Sequence, residues 1–324
     1  MTQASITPSA EIAAMLCGTM TDSEILSFFQ RYENEEITPE ALASAAKAMR
    51  AVCIPVTLSP EAIDMCGTGG SGKKTINTST LSAFIAAAAG AKVAKHGNRS
   101  ASGNCGSFDL LEGIGAKIDL TVEEEKRIFD ELGIVFLFAR THHPAMKHVS
   151  SARKLYGKPT IFNLLGPLVN PAEVRHQMIG TPDTKRAKLL ADALRLLDTR
   201  SSLVVTGRDG LDEVTICDST DMFHTPEGKR ETFSPEDLGL VRENSDSITG
   251  GTKDENITIF NAIADGKGTR AQRNLVLINT AFALTLTKLV PNVQEGWKLA
   301  ADTLDSGNVR TLITDYILLT NKTS

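Results

Sequence analysis

The chain is poor in aromatic residues and in cysteine: its 324 residues include one Trp, three Tyr and five Cys. The cysteines are odd in number, no two of them form a Cys-x-x-Cys pair, and they stand far apart, at Cys17, Cys53, Cys66, Cys105 and Cys217. This usage excludes a disulfide framework and a thiolate metal cage. We therefore expect reduced thiols in a cytoplasm.

The sequence also lacks an apolar run of membrane-spanning length, a basic-apolar leader and an excess of positive charge. Lys and Arg number 34 against 39 Asp and Glu, which gives a formal net charge of −5. We therefore expect neither export nor membrane insertion, and no general binding to nucleic acid or to a membrane surface. With 41% hydrophobic residues the chain can bury a full core, and a large domain with a smaller one is the natural division.

Apolar β runs alternate with helical patterns from residue 63 onward, which predicts an α/β domain with a mostly parallel sheet flanked by helices. Predicted strands include residues 134–139, 202–206 and 213–217, and predicted helices include residues 122–132, 182–197 and 293–305. Residues 9–53 differ, because they show only short amphipathic helices with visible capping signals. The pattern thus predicts a helical segment followed by an α/β domain.

Two donor-rich loops lie close together between residues 64 and 109. The first is a glycine-rich turn, residues 67–72, followed by Asn77, Ser79 and Thr80 at the start of an Ala-rich helix. Glycine lets backbone N–H groups approach an anion, and a helix N-terminus adds unpaired donors and the positive end of its dipole. The second is KHGNR at 95–99, directly after a short apolar strand. Two such loops predict a ligand with more than one phosphate.

Two common phosphate-binding motifs resemble the first loop but do not fit its chemistry. Gly67-x-Gly69-x-x-Gly72 matches the dinucleotide fingerprint, which needs an acidic residue about 20 positions further on. That region contains no carboxylate. A P-loop needs Ser or Thr after its Lys to hold Mg²⁺, and Lys74 stands at that place. Neither motif is therefore predicted here.

Several longer motifs follow one another along the chain. They are GTGG at 67–70, TINTST at 75–80, KHGNR at 95–99, GSFD at 106–109, HHPAM at 142–146, Arg153, TIFNLLGPLVNP at 160–171 and DGLDE at 209–213. From about residue 20 to the C-terminus, this series resembles anthranilate phosphoribosyltransferase. The resemblance implies Mg²⁺-dependent transfer of the phosphoribosyl group of 5-phosphoribosyl 1-pyrophosphate to anthranilate, the second step of tryptophan biosynthesis from chorismate.

The same resemblance implies a small helical domain, about residues 1–60 with a return segment at about 150–172, through which two copies form a homodimer. Residues 61–149 and 173–324 would form the large α/β domain, and the active site would lie in the cleft between the two. Alternatives are a pyrimidine nucleoside phosphorylase, which shares this fold, and a non-catalytic nucleic-acid-binding relative. The HHPAM and FNLLGPLVNP segments favour anthranilate, and the acidic charge disfavours nucleic acid.

The resemblance also implies a set of ligand contacts. Those to phosphoribosyl pyrophosphate are Gly67, Gly70, Ser71, Thr75, Asn77, Thr78, Ser79, Thr80, Lys95, His96, Gly97, Asn98, Arg99, Ser100, Ala101, Ser102, Gly103 and Ser107. Those to anthranilate are Gly67, Asn98, His143, Arg153 and Pro167, and those to Mg²⁺ are Ser79, Asp212 and Glu213. No general base stands out, although His96 is a candidate acceptor for the amine proton.

The residue types suit these roles. The planar guanidinium of Arg153 can bind a carboxylate in a bidentate manner, and Asp212 and Glu213 offer adjacent hard oxygen ligands for Mg²⁺. The histidines at 142, 143 and 148 lack the Cys or carboxylate partners of a zinc site, so zinc is not predicted. Ser71 departs from the family pattern because it replaces the Asp of GTGGD. That change predicts a different Mg²⁺ dependence rather than a loss of activity.

Overall fold

The computed structural model describes residues 8–34, 37–100 and 105–322, which contain a seven-stranded sheet and the helices around it. The strands are Ile63–Gly67 (β1), Val93–Gly97 (β2), Ile134–Phe138 (β3), His176–Gly180 (β4), Ser201–Gly207 (β5), Thr220–Thr225 (β6) and Arg230–Phe233 (β7). Their order across the sheet is β3-β2-β1-β4-β5-β6-β7. The first five are parallel, whereas β6 and β7 are antiparallel to their neighbours. The predicted α/β class with a mostly parallel sheet is confirmed.

The α-helices of the described residues are Pro8–Leu16 (α1), Asp22–Asn34 (α2), Pro39–Arg50 (α3), Thr78–Ala88 (α4), Ser107–Gly113 (α5), Val122–Leu132 (α6), Ala139–His142 (α7), Lys147–Tyr156 (α8), Ile161–Leu165 (α9), Thr184–Leu194 (α10), Lys253–Ala264 (α11), Arg270–Leu286 (α12), Val293–Asp305 (α13) and Asn308–Thr320 (α14). Among these helices, none combines the length and the apolar character that crossing a bilayer requires.

Local capping explains why α6 begins and ends where the sequence predicts. The Thr121 hydroxyl accepts the N–H of Glu124, and the Glu124 carboxylate accepts the N–H of Thr121 at 2.8 Å. At the other end Gly133 adopts a left-handed conformation with φ of 73°, which glycine tolerates without strain. The predicted helices at 122–132 and 293–305 are therefore both confirmed.

One large hydrophobic cluster packs α4 and α11–α14 against the sheet. At its centre Phe84, Phe136 and Tyr316 meet with ring centroids 5.1 to 5.6 Å apart. Aromatic pairs in such tilted or edge-to-face arrangements contribute roughly 0.5–1.5 kcal/mol beyond their buried area. This side of the molecule therefore fixes the position of β1, β2 and β3, and the two predicted phosphate-binding motifs lie at the ends of β1 and β2.

A second hydrophobic cluster joins the N-terminal helices to the sheet. It includes Ile12 and Leu42 from α1 and α3, Leu165 from α9, and Ile179 and Val204 from β4 and β5. The helices α1–α3, α8 and α9 thus share one core with α10 and with the sheet. The proposed division into two domains stays a prediction.

The predicted strand at residues 213–217 is wrong. Its backbone N–H groups are taken by side chains instead of by a neighbouring strand: Asn279 accepts from Val214, and the Thr220 hydroxyl accepts from Thr215. The strand that pairs with β5 is β6, which begins at Thr220. Residues 213–217 therefore form a loop held by side chains, directly after the acidic pair.

Candidate active site

The parallel strands bring the predicted ligand loops to one edge of the sheet. Strands β1, β2, β3, β4 and β5 end at Gly67, Gly97, Phe138, Gly180 and Gly207, and the carboxyl ends of parallel strands meet. Ligands of open α/β sheets bind in the crevice outside these ends. The loops that follow β1 and β5 contain the glycine-rich turn and the acidic pair. The KHGNR motif, which was expected to follow its strand, instead forms the last three residues of β2 and the start of the next loop, so all three motifs lie at that edge.

The glycine-rich turn opens into a cavity of about 360 Å³. Gly69, Gly70 and Gly72 have φ of 65°, 80° and 70°, conformations that only glycine adopts readily. Predicted contacts that line this cavity are Gly70, Ser71, Thr75, Asn77, Thr78, Ser79, Ser100, Asp212 and Glu213. The cavity combines flexible backbone donors, hydroxyl groups and the first turn of α4, which suits a polyanion.

Neighbouring segments hold the walls of this phosphate cavity in place. The N–H of Gly250 donates to the carbonyl of Lys74 at 2.7 Å, and the Asn77 amide donates to the carbonyl of Cys105 at 2.8 Å. Lys73 faces Asp209 of the DGLDE loop, with Nζ 3.8 Å from the carboxylate. The glycine-rich turn is thus tied to the second phosphate loop and to the acidic loop.

Asp212 and Glu213 form a half-buried pair of carboxyl groups beside the glycine-rich turn. Burial, and then the adjacent Asp212 carboxylate, raise the pKa of Glu213 to about 8. Burial also raises the pKa of Asp212. A β-carbon on Gly67 would lie 3.2 Å from Oδ2 of Asp212, so the carboxylate sits close against the end of β1. A divalent cation beside these two half-buried carboxyl groups would favour their ionised forms.

Mg²⁺ fits this donor set. It prefers oxygen ligands and is commonly held by one or two carboxylates together with substrate phosphates and water. Asp212, Glu213 and Ser79 line the same cavity. In the described residues no third acidic, His or Cys side chain joins the pair, so the remaining ligands would be phosphate and water oxygens.

Sequence reasoning missed two residues that support the acidic loop. Asn279 of α12 accepts the N–H of Val214 at 3.0 Å and donates to the carbonyl of the same residue at 3.0 Å. This amide therefore pairs with the backbone directly after Glu213 as a neighbouring strand would. Gly180 ends β4 against the backbone of Asp212 and leaves no room for a β-carbon. For Gly180, the signal available in the sequence was a glycine at the end of a central strand.

The side chains of the KHGNR motif have different partners and line different parts of the structure. Lys95 is buried and its ammonium group donates to the carbonyl of Met65, whereas Arg99 forms a bidentate ion pair with Glu112 at 2.9 Å. His96 and Asn98 line a second cavity. Of the predicted phosphoribosyl pyrophosphate contacts, those outside the lining of the phosphate cavity are Gly67, Thr80, Lys95, His96, Gly97, Asn98, Arg99 and Ser107. Ala101, Ser102 and Gly103 lie outside the described residues.

The second cavity has a volume of about 580 Å³ and brings together most of the predicted anthranilate contacts. Its lining includes His96, Asn98, His143 and Arg153 beside apolar side chains such as Phe162. The predicted contacts Gly67 and Pro167 are not part of this lining, although Gly166 is. Pro167 is buried and its carbonyl accepts the Gln177 amide at 2.7 Å. A cavity lined by the cationic side chains of Arg140, Lys147 and Arg153 and by apolar side chains suits a small aromatic acid.

Two imidazoles in this acceptor cavity are fixed by carbonyls of one segment. Nδ1 of His96 donates to Gly166 at 3.2 Å, and Nε2 of His143 donates to Val169 at 3.0 Å. Because a carbonyl only accepts, the other nitrogen of each neutral ring carries a lone pair. Both of those nitrogens are buried without a partner among the described residues. Burial lowers the pKa of His143 to about 4 and that of His96 well below its usual value, so both rings are neutral near pH 7.

Arg153 is the half-buried one of three cationic side chains in the acceptor cavity, since Arg140 and Lys147 are exposed. Its guanidinium lies 5.6 Å from the ring centroid of Phe162, and burial alone lowers its pKa. In the described part of the chain no carboxylate forms an ion pair with it, unlike Arg99. His142, the neighbour of His143, instead pairs with Glu125 at 2.8 Å and is fully buried. An unpaired, partly desolvated guanidinium is prepared to bind a carboxylate.

Known proteins match the chain over nearly its whole length. A family model described as "Glycosyl transferase family, a/b domain" matches residues 59–310. The anthranilate phosphoribosyltransferase of Desulfosudis oleivorans is 41% identical over 306 residues, which cover 94% of this chain and 90% of that protein. That of Moorella thermoacetica is 42% identical over 296 residues, covering 90% and 87%.

Solved structures agree with these matches. The anthranilate phosphoribosyltransferase of Thermus thermophilus superposes with a TM-score of 0.93 at 32% identity, and the match covers 97% of this chain and 95% of that one. The Saccharomyces cerevisiae enzyme in complex with PRPP and Mg gives a TM-score of 0.89 at 27% identity, covering 97% and 92%. The chain therefore belongs to the anthranilate phosphoribosyltransferase family.

Proposed function

We propose that this protein transfers the phosphoribosyl group of 5-phosphoribosyl 1-pyrophosphate to anthranilate and releases pyrophosphate. The observation that carries the proposal is the pairing of two unlike cavities along one loop. Ser100 lines the phosphate cavity, while His96 and Asn98 line the aromatic acceptor cavity. The loop after β2 thus connects a polyanion site to a site for an aromatic acid.

The reaction breaks the bond between ribose C1 and the pyrophosphate oxygen, whose electrons leave with pyrophosphate, and forms a bond from C1 to the amine nitrogen. The amine nitrogen then loses one proton, for which the bare imidazole nitrogen of His96 is the candidate acceptor. Backbone N–H groups of residues 69–72 and the first turn of α4 bind the leaving pyrophosphate, which stabilises the negative charge that develops on it. Mg²⁺, when bound beside Asp212 and Glu213, would neutralise further phosphate charge. The protein therefore acts by electrostatic stabilisation and positioning, without a covalent step of its own.

In the acceptor cavity Arg153 binds the carboxylate of anthranilate and fixes its ring. The bare nitrogens of His96 and His143 accept N–H groups of the aromatic amine, which orients the amine lone pair toward C1. Since both imidazoles are neutral near pH 7, neither repels the developing positive charge at C1 or on the amine. The apolar walls exclude water, which would otherwise compete as the nucleophile.

The test is the loss of anthranilate fluorescence when phosphoribosyl pyrophosphate is added, with and without Mg²⁺. A loss that requires Mg²⁺ and that Arg153→Ala slows by about a hundredfold supports both the reaction and the acceptor cavity. No loss from folded protein over a wide range of Mg²⁺ would contradict the proposal. Phosphate-dependent release of base from a pyrimidine nucleoside would then assign a phosphorylase, and salt-dependent retention on DNA would assign a binding protein.

We further propose a cytoplasmic homodimer with a small helical domain, residues 1–60 and about 150–172, and a large domain of residues 61–149 and 173–324. All five cysteines are free, which supports a reducing compartment. Leu155 of α8 is 68% exposed on the helical part, so a subunit contact there can be tested at this residue. Leu155→Lys should give the monomer mass in light scattering. Leu318→Lys is the matched control, because that residue is 60% exposed on α14 of the other part.

A further inference from the structure

The pairing between β1 and β2 opens toward the ligand loops. These two strands share one register pair, Ile63 with Val93. By contrast, β1 pairs with β4 along all five residues, and β2 pairs with β3 along all five. The gap lies between the strands that carry the glycine-rich turn and the KHGNR motif. Beyond Ile63, the central sheet is therefore divided at the position where the two phosphate loops begin.

Three side chains bind the backbone groups that this gap leaves without strand partners. The His96 N–H donates to Oδ1 of Asp64 at 3.1 Å, and the carbonyl of Ala94 accepts the Asn170 amide at 2.8 Å. The carbonyl of Met65 accepts the Lys95 ammonium group. In a continuous parallel ladder these groups would pair across the two strands. Asp64, Lys95 and Asn170 therefore replace the missing ladder bonds.

Asp64 connects these replacements to one another. Its second oxygen accepts the Asn170 amide at 2.9 Å, and it is fully buried beside the charged Lys95. Burying two charges has a desolvation cost that their attraction repays only in part, so such a pair is a weak stabilising device. The effect of Asp64 is geometric, because its carboxylate lies between β1 and β2, which would otherwise pair directly.

We propose that Asp64 is a positioning residue for phosphoribosyl transfer, which holds β1 and β2 apart and sets where their ligand loops begin. It also acts on the acceptor cavity through Asn170, since residues 166–171 contain the carbonyls that fix His96 and His143. The proposal rests on the proposed function, and it assigns Asp64 no contact with either substrate.

The first test replaces Asp64 by Asn, which has the same shape without the charge. The amide places an NH2 group where one carboxylate oxygen stood, so either the His96 N–H or the Asn170 amide then faces a donor, and Lys95 loses its counter-charge. At saturating substrates we expect kcat to fall at least about tenfold, because the variant removes one partner of a buried charge pair.

The matched control is Tyr316→Phe, because the Tyr316 hydroxyl also accepts a strand N–H, that of Phe136, in the same sheet. The control should lose a similar amount of stability and keep its kcat per folded molecule.

A pH profile distinguishes positioning from simple stabilisation. Burial raises the pKa of Asp64 to about 6, against the lowering effect of Lys95 and the hydrogen bonds from Asn170 and His96. The titratable groups that face it are Lys95 from β2 and the Cys66 thiol from its own strand, while β4 and residues 166–171 contribute neutral amides. Wild-type kcat should therefore fall as the pH drops through about 6 and Asp64 becomes protonated. That limb should be absent from Asp64→Asn.

Asn170→Ala provides a second variant in case Asp64→Asn does not fold. It should show a comparable loss of kcat, and the double variant should lose no more than the worse single one, because both act through one contact. A kcat within about twofold of wild type in either single variant, a fully additive double variant, or an unchanged low-pH limb in Asp64→Asn would overturn the proposal.

Calorimetric titration with phosphoribosyl pyrophosphate separates failure of this proposal from failure of the proposed function. If the wild type binds this ligand but consumes no anthranilate, the proposed function fails. Asp64 is then tested by binding alone, and at least about tenfold weaker binding to Asp64→Asn supports its positioning role. Equal binding to both proteins would contradict that role.

Discussion

The backbone carbonyl of Asp212 occupies the space that a side chain on Gly180 would need. The end of β4 and the acidic loop therefore fit together only because β4 ends in glycine. Gly180→Ala should displace Asp212 and lower the Mg²⁺-dependent rate by about a hundredfold or more, with a loss of stability of about 1–3 kcal/mol from overpacking. Activity assays over a Mg²⁺ series, together with thermal melts, measure both effects.

Gly296→Ala is the matched control for Gly180→Ala. A β-carbon on Gly296 would lie 2.7 Å from the carbonyl of Ala281, so this variant also overpacks the core, but between α12 and α13. It should lose stability and keep the wild-type Mg²⁺ profile per folded molecule. If both variants change the Mg²⁺ profile alike, Gly180 has no specific effect on the acidic loop.

Arg153 should control the affinity for the acceptor substrate. Arg153→Lys keeps the positive charge but loses the planar fork, so we expect the KM for anthranilate to rise roughly ten- to a hundredfold. The KM for phosphoribosyl pyrophosphate should stay within about twofold, because the phosphate cavity has a separate lining. Lys154→Ala, exposed at the next position of α8, is the control and should change neither constant. Equal rises in both KM values would contradict this assignment.

The sequence predicted the two phosphate-binding loops because the glycine-rich turn and KHGNR are contiguous motifs at the ends of strands, whereas it indicated the acceptor contacts Asn98, His143 and Arg153 only through the family resemblance. It did not predict the residues that support those motifs, because their partners are remote along the chain. Asn279 is 65 residues from Val214, and Asp64 is 106 residues from Asn170. No local periodicity reports such pairs. The wrong strand at 213–217 has a related cause: an apolar pattern does not show that side chains, rather than another strand, take its N–H groups.

The neutral state of His143 should make stability depend on pH. Burial lowers its pKa from 6.5 to about 4, so between these values the unfolded chain binds a proton that the folded protein does not. The stabilisation is fully present above about pH 6.5 and is lost as the pH falls toward 4. Urea unfolding at about pH 7 and about pH 4.5 should show a loss that is smaller in His143→Asn by roughly 1–3 kcal/mol. An equal loss in both proteins would contradict the buried, neutral imidazole.

Ser71 makes the proposed Mg²⁺ site less acidic than the GTGGD motif of the family would. Burial raises the pKa of Asp212, and hydrogen bonds from its own backbone N–H and from the Ser71 hydroxyl lower it in part. Ser71→Asp would put a third carboxylate beside two whose ionised forms are already disfavoured, and like charges raise one another's pKa values. A divalent cation relieves that repulsion. The Mg²⁺ concentration for half-maximal rate should therefore fall about three- to tenfold, while the metal-free protein melts at a lower temperature.

Ser71→Asn is the neutral control and should keep the wild-type Mg²⁺ profile. Overlapping Mg²⁺ profiles for Ser71→Asp and wild type would show that residue 71 does not influence the metal.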